Sequence, residues 1–166
     1  MIISLIAAAA QNNAIGKNNQ LLWHLSDDFK YFKNKTWGLP VLMGRRTFQA
    51  MNNTALPGRL NIVLTRDKKF SAKGAVVVNK IDNALFFAQE HDYKELMVIG
   101  GADIYKQMLP KAHRVFLTRI AATFDDADAF FPELNSKEWQ LISEDKFSKD
   151  DKNLYDYSFQ VWERKA

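Results

Sequence analysis

Apolar positions along this chain switch repeatedly between two periods. Ile2 to Ala10 is an almost unbroken apolar run leading into a Gly/Asn loop, and it reads as a first strand. From Ser26 the spacing changes. Leu25, Asp28, Phe29 and Phe32 fall at i, i+3, i+4 and i+7, the buried stripe of a helix with Ser26 as its N-cap, while Asp27 shares the outer side with Lys30 and Tyr31. VLMG (41–44) is a short strand feeding a helix in RRTFQAM, and LPGR (56–59) is a turn. RLNIVLT (59–65) and AVVV (75–78) are strands, and IDNALFFAQEH is an amphipathic helix starting near Asp82. ELMVIG (95–100) is a strand ending at Gly100-Gly101, followed by a helix through IYKQML that stops at Pro110, and RVFLTRIA (114–121) is a further strand. Beyond Pro132, WQLISEDKFS and YDYSFQVWERK flank the polar KDDKN, the pattern of an antiparallel hairpin.

The alternation of strand and helix predicts an α/β fold. A mainly parallel central sheet of about eight strands is expected, with about four helices on its two faces and the hairpin at the sheet edge. No linker, internal repeat or low-complexity segment interrupts the 166 residues, so residues 1–166 are expected to form one domain.

Composition narrows the classes. No stretch approaches the roughly 20 apolar residues of a membrane span. MIISLIAAAA lacks a basic leading region and is expected to be a strand of the mature protein, not a targeting segment. The absence of cysteine excludes disulfides and thiolate metal sites and suits a reducing, cytoplasmic setting. The net charge of +4 comes without a long basic tract, so small anionic ligands account for it at least as well as nucleic acid does. The three histidines, His24, His91 and His113, have no mutual metal spacing, and no Ser/His/Asp set stands out.

Several strand ends are candidates for anion binding. Gly100-Gly101 closes a strand and opens a helix, which suits either phosphate binding or a tight turn. Gly44 precedes Arg45, Arg46 and Thr47 in a first helical turn, where the helix dipole disfavours cations unless an anion is bound. Leu64, Thr65 and Arg66 end another strand. These ends together fit one elongated anion, or a scatter of solvated arginines. Arg59, after a Pro-Gly turn, suits a carboxylate or an exposed turn. Asp28 is different in kind: helix-start acidity explains a carboxylate there, but not its place on the apolar face, where it needs hydrogen-bonding partners.

Seven segments in order carry a resemblance over essentially the whole chain: SLIAAAAQNNAIG (4–16), LLWHLSDDFKYFK (21–33), PVLMGRRTF (40–48), LPGRLNIVLTR (56–66), VIGGADIY (98–105), FLTRI (116–120) and the FP at 131–132. They resemble the bacterial, chromosomal type of dihydrofolate reductase. That resemblance implies NADPH-dependent reduction of 7,8-dihydrofolate to tetrahydrofolate by a monomer in the cytoplasm. It implies no metal, membrane or nucleic-acid partner, and binding of antifolates such as trimethoprim or methotrexate.

Carried over by position, the resemblance makes Asp28 the pterin carboxylate, joined by the Thr118 hydroxyl. Ile6, Ala8, Phe32, Met51 and Ile99 would line the pterin and benzoyl pocket, and Arg59 would hold the glutamate carboxylate. For NADPH, it assigns Ala8, Ile15 and Gly16 to the nicotinamide. Gly44, Arg45, Arg46 and Thr47 fall to the phosphates, and Leu64, Thr65 and Arg66 to the adenosine 2′-phosphate end. Ile99, Gly100, Gly101, Ala102, Asp103, Ile104 and Tyr105 would run along the cofactor, with a cis peptide between the two glycines. Trp23 would sit in a loop, residues 10–24, that closes over the ring.

Three departures stand out. Leu22 replaces the usual proline before Trp23. Asp103 stands near a position that is basic in some members, and is expected to cap the following helix. Asp128 matches a loop-supporting aspartate only with one residue inserted nearby. A pyrimidine reductase of riboflavin synthesis would keep the cofactor segments but lack the Trp23/Asp28 pair and the Pro-Gly-Arg turn. A non-catalytic nucleotide- or RNA-binding module would need only the arginines.

Overall fold

A computed structural model describes residues 1–166. Five apolar segments form the parallel heart of the sheet: β1 (Ile2–Ala10), β3 (Pro40–Gly44), β4 (Leu60–Leu64), β6 (Glu95–Gly100) and β7 (Arg114–Ile120). β5 (Ala75–Val78) extends it beside β4, while β10 (Tyr157–Arg164) and β9 (Trp139–Phe147) close the other side. The order across the sheet is β5-β4-β3-β6-β1-β7-β10-β9. β10 is antiparallel to both of its neighbours, so the predicted hairpin does lie at an edge. The other predicted elements are present as four helices: α1 (Ser26–Thr36), α2 (Arg45–Ala50), α3 (Ile81–Glu90) and α4 (Ala102–Met108).

The central strands are apolar on both faces because both faces are covered. On one side Leu5, Leu42, Ile62, Val98 and Leu117 pack with Ala84 of α3 and Ile104 and Met108 of α4. On the other, Ile6, Val41, Met43, Met97 and Phe116 pack with Phe48 of α2 and with Tyr31 and Phe32 of α1. The chain moves from β1 out through β3, β4 and β5, then returns β6 between β3 and β1 before placing β7 on the far side. Such a reversal opens a crevice at the carboxyl ends of the strands.

Three local expectations need correction. The Gly/Asn loop after β1 contains a further strand, β2 (Ala14–Gly16), paired with β8 (Ala129–Phe130) in a separate two-stranded sheet. Both are too short to show a period, and their pairing spans more than a hundred residues. Ser26 is not the N-cap of α1. Leu25 holds that position without a side-chain hydrogen bond, and Ser26 is already helical. Phe29 is 46% exposed instead of buried, with its ring beside that of His24 at 5.3 Å between centroids.

The turn before β4 shows a glycine requirement. Gly58 has φ +73°, and a Cβ there would overlap the Trp37 indole. Gly58→Ala is expected to lower the unfolding free energy by about 1–3 kcal/mol in urea titrations, and an unchanged midpoint would contradict this account of the turn.

Candidate active site

The sheet register brings the predicted residues to one edge. Gly44 of β3 lies opposite Leu64 of β4, Met43 opposite Gly100 of β6, and Ala8 of β1 opposite Thr118 of β7. With strands about 4.8 Å apart, the ends from β4 to β1 span roughly 14 Å, enough for an extended ligand.

Asp28 is the chemical centre of this edge. Thr118 Oγ1 donates to its Oδ1 at 2.6 Å. Burial raises the Asp28 pKa from 3.8 to about 6, opposed in part by the Thr118 hydrogen bond. Ile6, Phe32, Met51 and Ile99 meet in the apolar cluster around Phe116. Trp23 belongs to the adjoining cluster, with Ala8 and Leu22 packed against it. The Trp23 indole N–H is buried and has no acceptor within the protein. A carboxyl group and an unpaired N–H beside apolar walls suit a flat ligand with polar edges.

Arg59 is anchored at the other end of α1. Its Nε donates to the Pro57 carbonyl at 2.8 Å and its Nη1 to Thr36 Oγ1 at 3.1 Å, with the guanidinium over Trp37. Burial shifts its pKa downward. Asp28 and Thr36 are eight positions apart in the helix, about 12 Å along the axis. A ligand touching both ends must therefore be long, polar at one end and anionic at the other.

The cofactor candidates gather around two helix starts. Neither α2 nor α4 has a side-chain cap, so their first amides lack intrahelical or side-chain acceptors. Arg45 is ion-paired to Asp67 at 3.5 Å, and Arg46 and Arg66 are exposed. The Gly100-Gly101 peptide is cis. Gly100 has φ +111°, and a Cβ there would meet Tyr105 Cε2 at 2.9 Å. The tyrosine is held close because its hydroxyl donates to the carbonyls of Ile6 at 2.7 Å and Ile99 at 2.9 Å. Ile104 packs beneath Gly44. Free amides, arginines and closely approachable backbone form a donor set that fits a dinucleotide phosphate.

Comparison with known proteins identifies the family. A family model described as dihydrofolate reductase matches residues 2–164. The chain belongs to the dihydrofolate reductase family. Among its relatives, the dihydrofolate reductase of Haemophilus influenzae is 42% identical, covering 99% of this chain and 100% of that protein. Dihydrofolate reductase type 3 of Salmonella typhimurium is 45% identical over 96% of each. A solved dihydrofolate reductase from Enterococcus faecalis, complexed with NADP(H) and RAB-propyl, superposes with a TM-score of 0.91. It is 33% identical, and the match covers 99% of this chain and 97% of that one.

Within this dihydrofolate reductase fold, some predicted residues behave differently from expectation. Asp103 lies in the first turn of α4 but makes no side-chain cap. Ile15 and Gly16 lie on β2, and Ile15 packs against the cluster on the α3/α4 side of the sheet. Asp128 does engage the loop: its Oδ2 accepts the Asn18 N–H at 2.9 Å, and its own N–H donates to the Gly16 carbonyl. Asp27 is not simply an outward-facing acid. Its Oδ2 accepts the Tyr157 hydroxyl at 2.6 Å, and its N–H donates to Asn153 Oδ1. Tyr157 and Asn153 lie 130 and 126 residues away, so no local pattern signals them.

Burial of Asp28 carries a stability cost. Its folded pKa exceeds the unfolded value, so the folded state binds more protons between about pH 4 and 6. Its contribution is therefore least destabilising below pH 4 and becomes fully unfavourable above pH 6. Asp28→Asn is expected to raise the unfolding free energy at pH 7 by roughly 1–3 kcal/mol, with the gain vanishing near pH 4. Urea titrations at the two pH values check this, and equal effects at both would contradict it.

Proposed function

We propose that this chain reduces 7,8-dihydrofolate to 5,6,7,8-tetrahydrofolate with NADPH, with Asp28 as the group that recognises and polarises the pterin. The observation that carries this reading is the Asp28 carboxyl on an apolar wall with the Thr118 hydroxyl as its protein donor. Its acceptor-rich edge suits the amide-like edge and 2-amino group of a pterin, and negative charge there favours a proton at the pterin N5. Ile6, Ala8, Phe32, Met51 and Ile99 supply flat apolar contacts, while Trp23 helps exclude water. Arg59, held open-handed by Pro57 and Thr36, suits the glutamate carboxylate about 12 Å along α1.

When bound, NADPH supplies the hydride that goes to C6 of the substrate. This chain's own residues bind and orient. Gly44, Arg45, Arg46, Thr47 and the Gly100–Tyr105 turn suit the phosphates and the cofactor backbone. Thr65 and Arg66, just past Leu64 at the end of β4, suit a 2′-phosphate, and Ala8, Ile15 and Gly16 the nicotinamide ring. The likeness to a dihydrofolate reductase complexed with NADP(H) supports this placement. The same reading takes residues 1–166 as one domain and the cytoplasm as its setting, to which the cysteine-free composition is suited. No helix is long and apolar enough to cross a membrane.

NADPH absorbance is expected to fall only when dihydrofolate is added. Asp28→Asn is expected to slow hydride transfer at pH 7 by roughly 10² or more, with partial recovery as pH falls and the substrate takes its proton from solution. Absence of turnover combined with nucleic-acid binding at physiological salt would favour a non-catalytic module. Near-normal neutral-pH activity in Asp28→Asn would remove that residue from its role.

A further inference from the structure

Two consecutive carboxylates at the start of α1 are held by hydroxyls on two adjacent strands. Thr118 of β7 holds Asp28, and Tyr157 of β10 holds Asp27, each at 2.6 Å. In the register between these strands Phe159 lies opposite Thr118 and Tyr157 opposite Ile120. The buried Tyr157 ring stacks on Phe147 with centroids 5.3 Å apart, and Tyr31 of α1 stacks on Phe159 at 4.0 Å. The helix is therefore pinned to the C-terminal hairpin as well as to the central sheet.

The missing cap of α1 comes from the same hairpin. Asn153 is 1% exposed, and its Oδ1 accepts the Asp27 N–H at 3.0 Å. Its amide orientation is fixed because Nδ2 donates to Asp150 Oδ1 at 3.0 Å. That oxygen also accepts the N–H groups of Asn153 at 2.8 Å and Lys152 at 2.9 Å. Leu25 forms a β-bridge with Asn153, and the Ser26 N–H reaches the Lys152 carbonyl at 3.5 Å. An 11-residue helix is marginal by itself, and its first turn frays without acceptors for its amides.

We infer that Asp27, Asn153 and Tyr157 are positioning residues for Asp28, fixing the rotation and order of the first turn of α1 so that Asp28 meets Thr118. Adjacent helical side chains point about 100° apart, so a first turn that frays or rolls by one position swings Asp28 off the apolar wall. The inference rests on the reading of Asp28 under Proposed function. The other ionisable groups around Asp28 are Asp27, Tyr31, Tyr105 and Tyr157. All three tyrosines are shifted upward, Tyr31 to about 12, so they stay neutral across the working range.

The test is single-turnover hydride transfer followed between about pH 5 and 8, with thermal unfolding of the same samples. Tyr157→Phe keeps the ring packing and loses the hydroxyl, and Asn153→Ala loses the cap. Both are expected to slow hydride transfer at pH 7 roughly 3–30-fold. Both are also expected to move the midpoint of the pH profile downward, because a carboxylate swung away from the pterin favours the N5 proton less, so that proton is lost at lower pH. Asp27→Ala should behave similarly, whereas Asp27→Asn keeps an oxygen for the Tyr157 hydroxyl and should recover most of the loss. Wild-type rates and midpoints in Tyr157→Phe and Asn153→Ala, with only a lower unfolding temperature, would overturn the inference. Hydride transfer undiminished in Asp28→Asn would instead overturn the reading beneath it.

Discussion

A carboxylate on an apolar wall is the constraint around which the rest of this molecule is arranged. Water is the best partner for a carboxylate, and Asp28 has exchanged most of it for one hydroxyl at 2.6 Å. That exchange requires β7 to present Thr118 at a fixed height. It also requires α1 to present Asp28 at a fixed rotation, and β1 and β6 to supply the surrounding wall. A parallel sheet meets the first requirement because its register is fixed by apolar packing on both faces, so a one-residue slip would exchange Thr118 for a core leucine or arginine. The helix has no such lattice of its own, which is why its attachment to the hairpin matters.

The same constraint sets a stability cost against function. An unpaired charge on the pocket wall opposes folding at neutral pH, and the apolar layers on both sheet faces offset it. Similar reasoning applies at the cofactor edge. The uncapped starts of α2 and α4, and the arginines crowded into the α2 first turn, are poor choices for an isolated helix. They are consistent with a fold that leaves amides and cations for an anion. Local disagreement with helix rules marks the site in both places.

Much of this is legible in the amino-acid order alone. The strands AVVV and ELMVIG fall on β5 and β6 residue for residue, because continuous apolar runs bounded by turns leave little ambiguity. Helical spacing by itself marks out Asp28, since the i, i+3, i+4 pattern sets it apart from Asp27. The roles given to Arg59, Thr118 and the cofactor residues come from family resemblance, not from periodicity. What stays hidden is long-range. The pairing of β2 with β8, the cap supplied to α1 by Asn153 and the hydroxyl that Tyr157 offers Asp27 join segments more than a hundred residues apart. Ser26 reads as an N-cap because serine usually is one, but here tertiary contacts fill that place. Phe29 reads as buried because periodicity reports which face a residue occupies, not whether anything covers it.

The central claim is that the Asp28 carboxyl is buried and held by Thr118, and carboxyl-carbon NMR titration of that side chain in the ligand-free protein tests it most directly. The expected result is a midpoint near 6, moving higher in Thr118→Val because the donor that favours the ionised form is gone. A midpoint near the ordinary 3.8, or one unmoved by the Thr118 substitution, would contradict the account.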